Sequence, residues 1–237
     1  AATTVASLLT RHPQFTSVIE ENATDGSYVY HSIAFRAEKR QSHGLSFTGN
    51  YSFSKLIEAM QYLNPGDAKL ARIVSPYDHK HHFAFGSTYE LPIGTGRLVN
   101  IRPGIWNTLI GGFKINGIYT FQTGAPLYFS ADLPLAPGAT VSDISSKPRL
   151  INGTSLNVAA FDRAASDQFQ YHLRTLPLTI GRVRMDGINQ LDASILKDFA
   201  LPRGISAECR LETFNALNHA SFAAPAVSSA TSSSFGT

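Results

Sequence analysis

The chain has 237 residues, of which 43% are hydrophobic and only 16% are charged, and its formal net charge is +3. The charged fraction lies below the roughly 25% usual for soluble domains, and no run of lysine or arginine suggests binding to nucleic acid. The lone Cys209 excludes an intramolecular disulfide, and no apolar stretch is long enough for a membrane-spanning helix, so any membrane contact would be made by strands.

The first predicted element is a hairpin that follows the turn signal Asp25-Gly26. Apolar and polar residues alternate up to Arg40, and Ser42-His43-Gly44 then makes a tight connection. From 45 to 53 every odd position holds Leu, Phe, Gly or Tyr, and every even position holds Ser, Thr or Asn. A period of two is the pattern of a strand with one apolar face and one polar face.

The same alternation predicts further strands at 79–91, 113–122, 190–199 and 205–215, with a short one at 127–130. The segment 56–76 is predicted to be a loop with room for a short helix at 57–63. Residues 131–186 have little periodicity and many turn residues, and they are predicted to form a long loop excursion with a short helix near 158–165. Residues 220–237 are predicted to be a Ser-rich tail.

Strands of about ten residues, with tight turns at one end and long loops at the other, are typical of outer-membrane β-barrels. The fold class predicted is all-β, with antiparallel up-and-down strands of outer-membrane β-barrel type in a partial or small barrel with long loops. A soluble antiparallel sheet or sandwich with one wet face would produce the same alternation. Residues 1–237 are predicted to form a single β-barrel region.

An ordered series of motifs makes the membrane interpretation the stronger one. The motifs are Arg11–Phe15, Tyr30–Ser32, Glu38–Arg40, Ser42–Leu45, Tyr51–Lys55, Asp78–Phe83, Tyr89–Gly94, Gly111–Phe113, Thr120–Pro126, Asn189–Phe199 and Arg210–His219. In this order they resemble barrel segments of Oar-like TonB-dependent outer-membrane receptors. The resemblance implies a barrel of about 22 strands, filled by a plug domain, that takes up a solute with energy relayed by TonB.

The chain also departs from that family. No plug domain, TonB-contacting segment or final aromatic-ended strand is recognisable, so the expectation is a fragment from the C-terminal part of such a receptor. The resemblance implies a location in the bacterial outer membrane and partners that include outer-membrane lipid, the plug domain, TonB and an unidentified solute. No cofactor is expected.

One cluster of candidate metal ligands is present. Asp78, His79 and His81 could contribute a carboxylate and two imidazoles from one edge of a predicted strand. The stronger interpretation is a polar rim where a loop enters the barrel wall, and no metal is predicted.

Ionisable residues recur on the predicted polar face. Those expected to line the lumen are Arg36, Glu38, Arg40, Glu90, Lys114, Asp192, Glu208, Arg210 and Glu212. If the chain were an enzyme, Asp192 with Glu208 or Glu212 could act as a carboxylate pair. Glu208 and Glu212 alone are about 13 Å apart on one strand, too far for that chemistry.

Two functional alternatives therefore remain beside the receptor. One is a soluble all-β hydrolase, acting on carbohydrate through a carboxylate pair or the histidine cluster. The other is a ligand-binding β module. A salt-bridge ladder on a wet wall is the favoured explanation of the charged residues, and an enzyme is not the favoured function.

Overall fold

The computed structural model describes residues 8–15, 18, 19, 21, 23–146, 155–168, 172–200 and 202–237. Strands dominate these residues, with a short helix and a few 3-10 turns between them. The elements are β1 Ser27–Ser42, β2 Leu45–Ala59, β3 Ile73–Val74, β4 His81–Glu90, β5 Ile93–Gly94, β6 Val99–Asn100, α1 Ile105–Ile110, β7 Phe113–Gln122, β8 Pro126–Tyr128, β9 Thr179–Arg184, β10 Ile188–Ala200 and β11 Ser206–Thr213.

The long strands form one antiparallel sheet in the order β1-β2-β4-β7-β10-β11, with β3 added to β2. Each long strand thus pairs with the next long strand along the chain, as predicted for an up-and-down sheet. Within the described residues β1 and β11 lie at opposite edges and do not pair with each other. The sheet is therefore open in this part of the chain, and the small closed barrel that was one of the expectations does not form there.

The sheet has one apolar and one polar face because paired residues on antiparallel strands point to the same side. Phe83 lies opposite Tyr51 on β2 and opposite Phe121 on β7. Rows of this kind assemble the apolar face, which includes Ile33, Phe35, Phe47, Tyr51, Phe53, Phe83, Phe85, Tyr89, Ile115, Tyr119, Phe121, Leu191, Ala193, Ile195 and Leu211. The other face is mostly Ser, Thr, Asn, Gln and charged residues, with Ile118 and Leu196 among its apolar exceptions.

The connections differ between the two ends of the sheet. One end, here called the turn end, holds the connections 43–44, 91–112 and 201–205. The other end holds 60–80 and 123–187, and residues 214–237 leave from it. At the exit from β7, a Cβ at Gly124 would collide with the Met185 carbonyl oxygen. Only glycine therefore fits where the backbone segments at 124 and 185 lie against each other.

The cap, formed by residues 125–146, 155–168, 172–185 and 226–237, carries the main buried core. Its buried side chains are Leu127, Phe129, Leu133, Ile144, Leu156, Ala160, Phe161, Leu176, Ile180, Val183, Val227, Ala230 and Phe235. The Phe161 ring meets Phe235 edge to face with 5.1 Å between centroids. The described part of segment 131–186 is mostly irregular, as expected, but it packs into this core instead of forming an open loop.

Three local expectations need correction. The predicted helix at 57–63 is absent, because Ile57 and Glu58 continue β2 and pair with Val74 and Ile73 of β3. The helix expected near 158–165 is reduced to 3-10 turns at Val158–Ala160 and Ala165–Asp167. The predicted Ser-rich tail folds back, so that Val227, Ala230 and Phe235 enter the core of the cap.

Candidate functional site

The first candidate site is the polar face of the sheet. Eight of the nine ionisable residues predicted for the lumen lie on this face by register; they are Arg36, Glu38, Glu90, Lys114, Asp192, Glu208, Arg210 and Glu212. Arg40 lies where the register between β1 and β2 shifts, beyond the last regular pair at Lys39. The alternation in sequence thus identified a real common surface.

Charges on this face are paired with one another. The Lys114 ammonium lies 2.9 Å from Asp198 across two strands, and Arg210 lies 2.8 Å from Glu208 and 3.4 Å from Glu212. Arg36 contacts Glu38 at 3.1 Å. Exposed pairs of this kind contribute little to stability, because water screens them. Their main consequence is a polar wall whose positive and negative charges are locally balanced.

One of the two candidate carboxylate pairs, Asp192 with Glu208, is not assembled. Glu208 lies opposite Asp198 and Glu212 lies opposite Ser194, so Asp192 and Glu208 are separated by six positions along β10, about 20 Å at strand geometry. Asp192 instead accepts hydrogen bonds from the Asn215 backbone N–H at 2.8 Å and from the Gln190 amide at 3.0 Å. Glu212, in contrast, is a diagonal neighbour of Asp192 on the same face, and such neighbours lie about 7–8 Å apart. Both glutamates contact Arg210, so ion pairs on a polar wall account for them, and the pair Asp192–Glu212 stays a prediction.

A shallow cleft of about 360 Å³ lies between β1, β2 and β4 near the turn end. Its lining includes Glu38, Arg40, Thr48 and Thr88, which offer charged and hydroxyl groups, and Gly86, which has no side chain. Groups of this kind can donate and accept hydrogen bonds to a polar solute. The cleft gives the polar face one local concavity.

The second candidate site joins the cap to the sheet through a buried ion pair. Arg184 of β9 donates from Nη2 to Asp78 Oδ2 at 2.6 Å, and only 1% of the Asp78 side chain is exposed. The other carboxylate oxygen accepts the Leu56 backbone N–H of β2 at 2.7 Å. Arg184 also donates to the carbonyl oxygens of Asp78, Gly124 and Gly181. A single charged pair therefore ties together β2, the connection before β4, the exit from β7, and β9.

Asp78 is consequently an ion-pair partner in this structure, and the neighbouring histidines have other contacts. His81 Nδ1 hydrogen-bonds the Tyr51 hydroxyl at 2.8 Å, and His79 Nδ1 lies 2.9 Å from the Thr123 carbonyl oxygen. Among the residues that the structure describes, no group of three or more His, Cys, Asp or Glu side chains could hold a metal ion. Asp78, His79 and His81 are not brought together as a ligand set.

A further polar link runs from the connection 60–80 into the cap. The Arg174 backbone N–H donates to Asn64 Oδ1 at 2.6 Å, and its guanidinium donates to the carbonyl oxygens of Phe129 and Leu176 at 2.6 and 2.7 Å. Burial lowers the pKa of the Arg174 guanidinium from its ordinary value. Asp132 accepts the Leu176 N–H at 2.8 Å and lies 2.6 Å from His172 Nε2.

Sequence reasoning did not identify Arg184, Arg174 or Asp132. Each lies in the aperiodic segment 131–186, where no alternation indicates which side chains are buried. The partners of Arg184 and Arg174 are distant in sequence, Asp78 by 106 positions and Asn64 by 110. The signal that could have drawn attention to them is the presence of charged residues in an otherwise apolar and small-residue segment.

Comparison with known proteins identifies the class of this domain. A family model described as an outer membrane beta barrel domain matches residues 1–237. No curated protein matches the chain, and no solved structure matches it. The family match confirms the all-β fold of outer-membrane type and the location in the bacterial outer membrane. It also supports association with membrane lipid. In the described residues no helix is both long and apolar enough to span a bilayer.

Proposed function

We propose that this chain, which belongs to the family of outer membrane beta barrel domains, forms part of the wall of a TonB-dependent receptor that takes up a solute. In this proposal the apolar face of the sheet contacts lipid and the polar face lines the lumen. The observation that carries it is the segregation of side chains across six paired strands, with balanced charges on one face and aromatic and aliphatic groups on the other.

The cap defines the orientation in this proposal. Outer-membrane barrels have short turns on the periplasmic side and longer loops on the extracellular side. The cap and the connection 60–80 lie at the end with the longest connection, 123–187, and would therefore be extracellular. A solute would meet the cap first and the polar face afterwards.

The open edges of the sheet also fit a wall. β1 and β11 each pair on one side only within the described residues. A strand edge in a bilayer leaves backbone N–H and C=O groups without partners, which costs several kcal/mol per group. Further strands would pair with both edges in the membrane, and the polar face would then enclose a lumen able to hold a plug domain.

The wall and plug contact can be tested by photo-crosslinking in the native outer membrane. A benzophenone amino acid at Asn116 lies on the polar face, and the same group at neighbouring Ile115 lies on the apolar face. We expect Asn116 to crosslink to polypeptide and Ile115 to lipid. Lipid adducts at both positions would contradict the lumen assignment.

The uptake role needs a test that does not require a known solute. Mass spectrometry of spent medium can compare cells with and without this gene, each with and without TonB. We expect at least one solute to remain in the medium when either gene is deleted, and the double deletion to add nothing. If no solute differs, or if depletion is independent of TonB, the proposed uptake function is wrong.

A further inference from the structure

The connection 91–112 at the turn end exposes a concentrated group of large apolar side chains. The exposed residues are Leu98, Val99, Ile105, Trp106, Leu109 and Ile110, and the exposed fractions of Leu98 and Trp106 are 89% and 66%. The only charged residues in this connection are Arg97 and Arg102. An exposed apolar patch of this kind in a membrane domain requires a partner.

The short helix α1 is amphipathic, and its polar side is already used. Ile105, Trp106, Leu109 and Ile110 have the spacing of one helix face. On the other side, Asn107 Oδ1 accepts the Thr95 N–H at 2.8 Å, and Asn107 lines a cavity of about 290 Å³ beside β5. The apolar side is therefore turned away from the body of the connection.

The connection continues directly from the apolar face of the sheet. Leu91 N–H donates to the Phe113 carbonyl oxygen at 2.8 Å, which closes the connection at its base. Lys197 lies opposite Phe113 on the apolar face, donates to the Gly111 carbonyl oxygen, and has its ammonium 5.0 Å from the Phe113 ring centre. A lysine held between aromatic rings at the end of an apolar face is the arrangement of a cation near a membrane interface.

Charge indicates which surface covers the patch. The connection 91–112 contains no Asp or Glu. Arg97 pairs with Glu90 at 3.3 Å, whereas Arg102 is exposed and makes no ion pair with a described residue. Tryptophan prefers the headgroup level of a bilayer, and arginine beside it can contact anionic headgroups.

We infer that the connection 91–112 is an interfacial anchor, in which the apolar side of α1 with Leu98 and Val99 lies in the leaflet at the turn end and Arg102 contacts anionic lipid headgroups. Amphipathic helices at such interfaces bury their apolar side about 5–10 Å into the headgroup and acyl boundary. This inference rests on the proposed lipid orientation of the sheet and is independent of the uptake role. It goes beyond that role by assigning a lipid-binding function to a particular segment.

Trp106 is the only tryptophan of the chain and therefore reports on its own surroundings. The full chain is reconstituted into phosphatidylcholine vesicles with and without phosphatidylglycerol, and lipids brominated near the headgroup or near the chain end serve as quenchers. We expect blue-shifted emission and stronger quenching by the headgroup-proximal bromines. Quenching by aqueous iodide alone, or blue-shifted emission without lipid quenching as in contact with a second protein copy, would overturn the inference.

A second reporter separates this inference from the orientation of the sheet. In the variant that combines Trp106→Phe with Ile195→Trp, the sole tryptophan lies on the apolar sheet face, and we expect the chain-end bromines to quench it best. If this reporter lies in lipid while Trp106 lies in water, the anchor is wrong and the sheet orientation stands. If both lie in water, both fail. Arg102→Gln should abolish the additional quenching of Trp106 that phosphatidylglycerol produces, and an unchanged response would contradict the role of Arg102.

Discussion

Phe129 in the cap and Phe35 in the sheet are the same residue type in opposite environments. Phe129 has no exposed surface and packs against Phe161, whereas Phe35 is 64% exposed although it stacks on Tyr51. The cap covers its apolar side chains with other parts of the same chain. The sheet also assembles an apolar surface, but several of its large side chains are left exposed.

This difference is the one expected if the cap faces water and the apolar face of the sheet faces lipid, as proposed above. A cap that faces water must bury its own core, because the hydrophobic effect stabilises it only when apolar area is removed from water. A sheet that faces lipid needs no second layer, since its apolar side chains are covered by acyl chains. The predictions below test this division from the largest expected effect to the smallest.

The largest effect is expected for the cap core. Phe129→Ala should destabilise the cap by about 3–5 kcal/mol, because it removes a fully buried ring and leaves a cavity. Hydrogen exchange of the Ala136 amide, which donates to the Ala160 carbonyl oxygen within the cap, measures this change. The matched control, Phe35→Ala, should change exchange at Ala136 by no more than about 0.5 kcal/mol. Equal effects of both variants would remove the distinction between cap and sheet.

The link between cap and sheet comes next. Arg184→Met should cost about 3 kcal/mol, because it leaves the Asp78 carboxylate buried without its cation. Exchange of the Leu56 amide, which donates to Asp78, reports the opening of this link. Lys114→Met breaks an exposed pair with Asp198 and should cost at most about 1 kcal/mol.

Adding Asp78→Asn to Arg184→Met tests whether the loss comes from the unpaired charge. The double variant should recover part of the stability lost in Arg184→Met, since no buried charge remains. If the losses of stability in Arg184→Met alone and Asp78→Asn alone add up to the loss in the double variant, the two side chains are not coupled. The ion pair would then not join the cap to β2.

The two faces of the sheet should differ in their tolerance of a new charge. Ile195→Arg adds a cation to the apolar face near the middle of β10 and should reduce the stability of the inserted sheet by roughly 2 kcal/mol. Ser194→Arg, one residue away on the polar face opposite Glu212, should be nearly neutral. Folding into vesicles at increasing urea, followed by the mobility of unheated samples on gels, measures both. A larger loss for Ser194→Arg would reverse the assignment of the faces.

The smallest effect is the acid sensitivity of one turn in the cap. The Thr140 backbone N–H and hydroxyl donate to Asp143 at 2.7 and 2.8 Å, and these bonds hold the pKa of the Asp143 carboxyl below its ordinary value of 3.8. A lowered folded pKa gives stability that is present above the unfolded pKa and is lost as the pH falls through the folded value.

Asp143→Asn should therefore remove part of the acid-dependent loss while changing little near neutral pH. Thermal unfolding of the cap at about pH 6 and about pH 3, in wild type and variant, measures the difference. An identical pH response in the two proteins would show that the Thr140 bonds contribute nothing to acid stability.

The sheet could be predicted from sequence because successive side chains of a strand point to opposite faces, so that apolar and polar residues alternate along the chain. The pattern from Leu45 to Phe53 defined the two faces of β2, and 113–122 was predicted with the bounds that β7 has. The same alternation placed eight of the nine ionisable residues on the polar face, where the strand register has them. Local alternation suffices when the partner of a strand is the next strand.

The cap and its link to the sheet could not be predicted in this way. The contacts of Arg184 with Asp78 and of Phe161 with Phe235 join segments far apart in sequence, and neither helical nor strand periodicity marks them. The helix expected at 57–63 failed for the same reason, since pairing of Ile57 with Val74 outweighs local preference. The metal ligands and the carboxylate pair considered above likewise depend on distances between side chains, and the sequence alone does not give those distances.

The central claim is that the two faces of this sheet meet lipid and water respectively. Spin labels at consecutive positions 114–120 of β7, in a Cys209→Ser background and in reconstituted membranes, test it most directly. We predict oxygen accessibility to peak at 115, 117 and 119, and accessibility to a water-soluble nickel reagent to peak at 114, 116, 118 and 120. If the two reagents rise and fall in phase, or if the nickel reagent reaches both faces equally, the claim is contradicted.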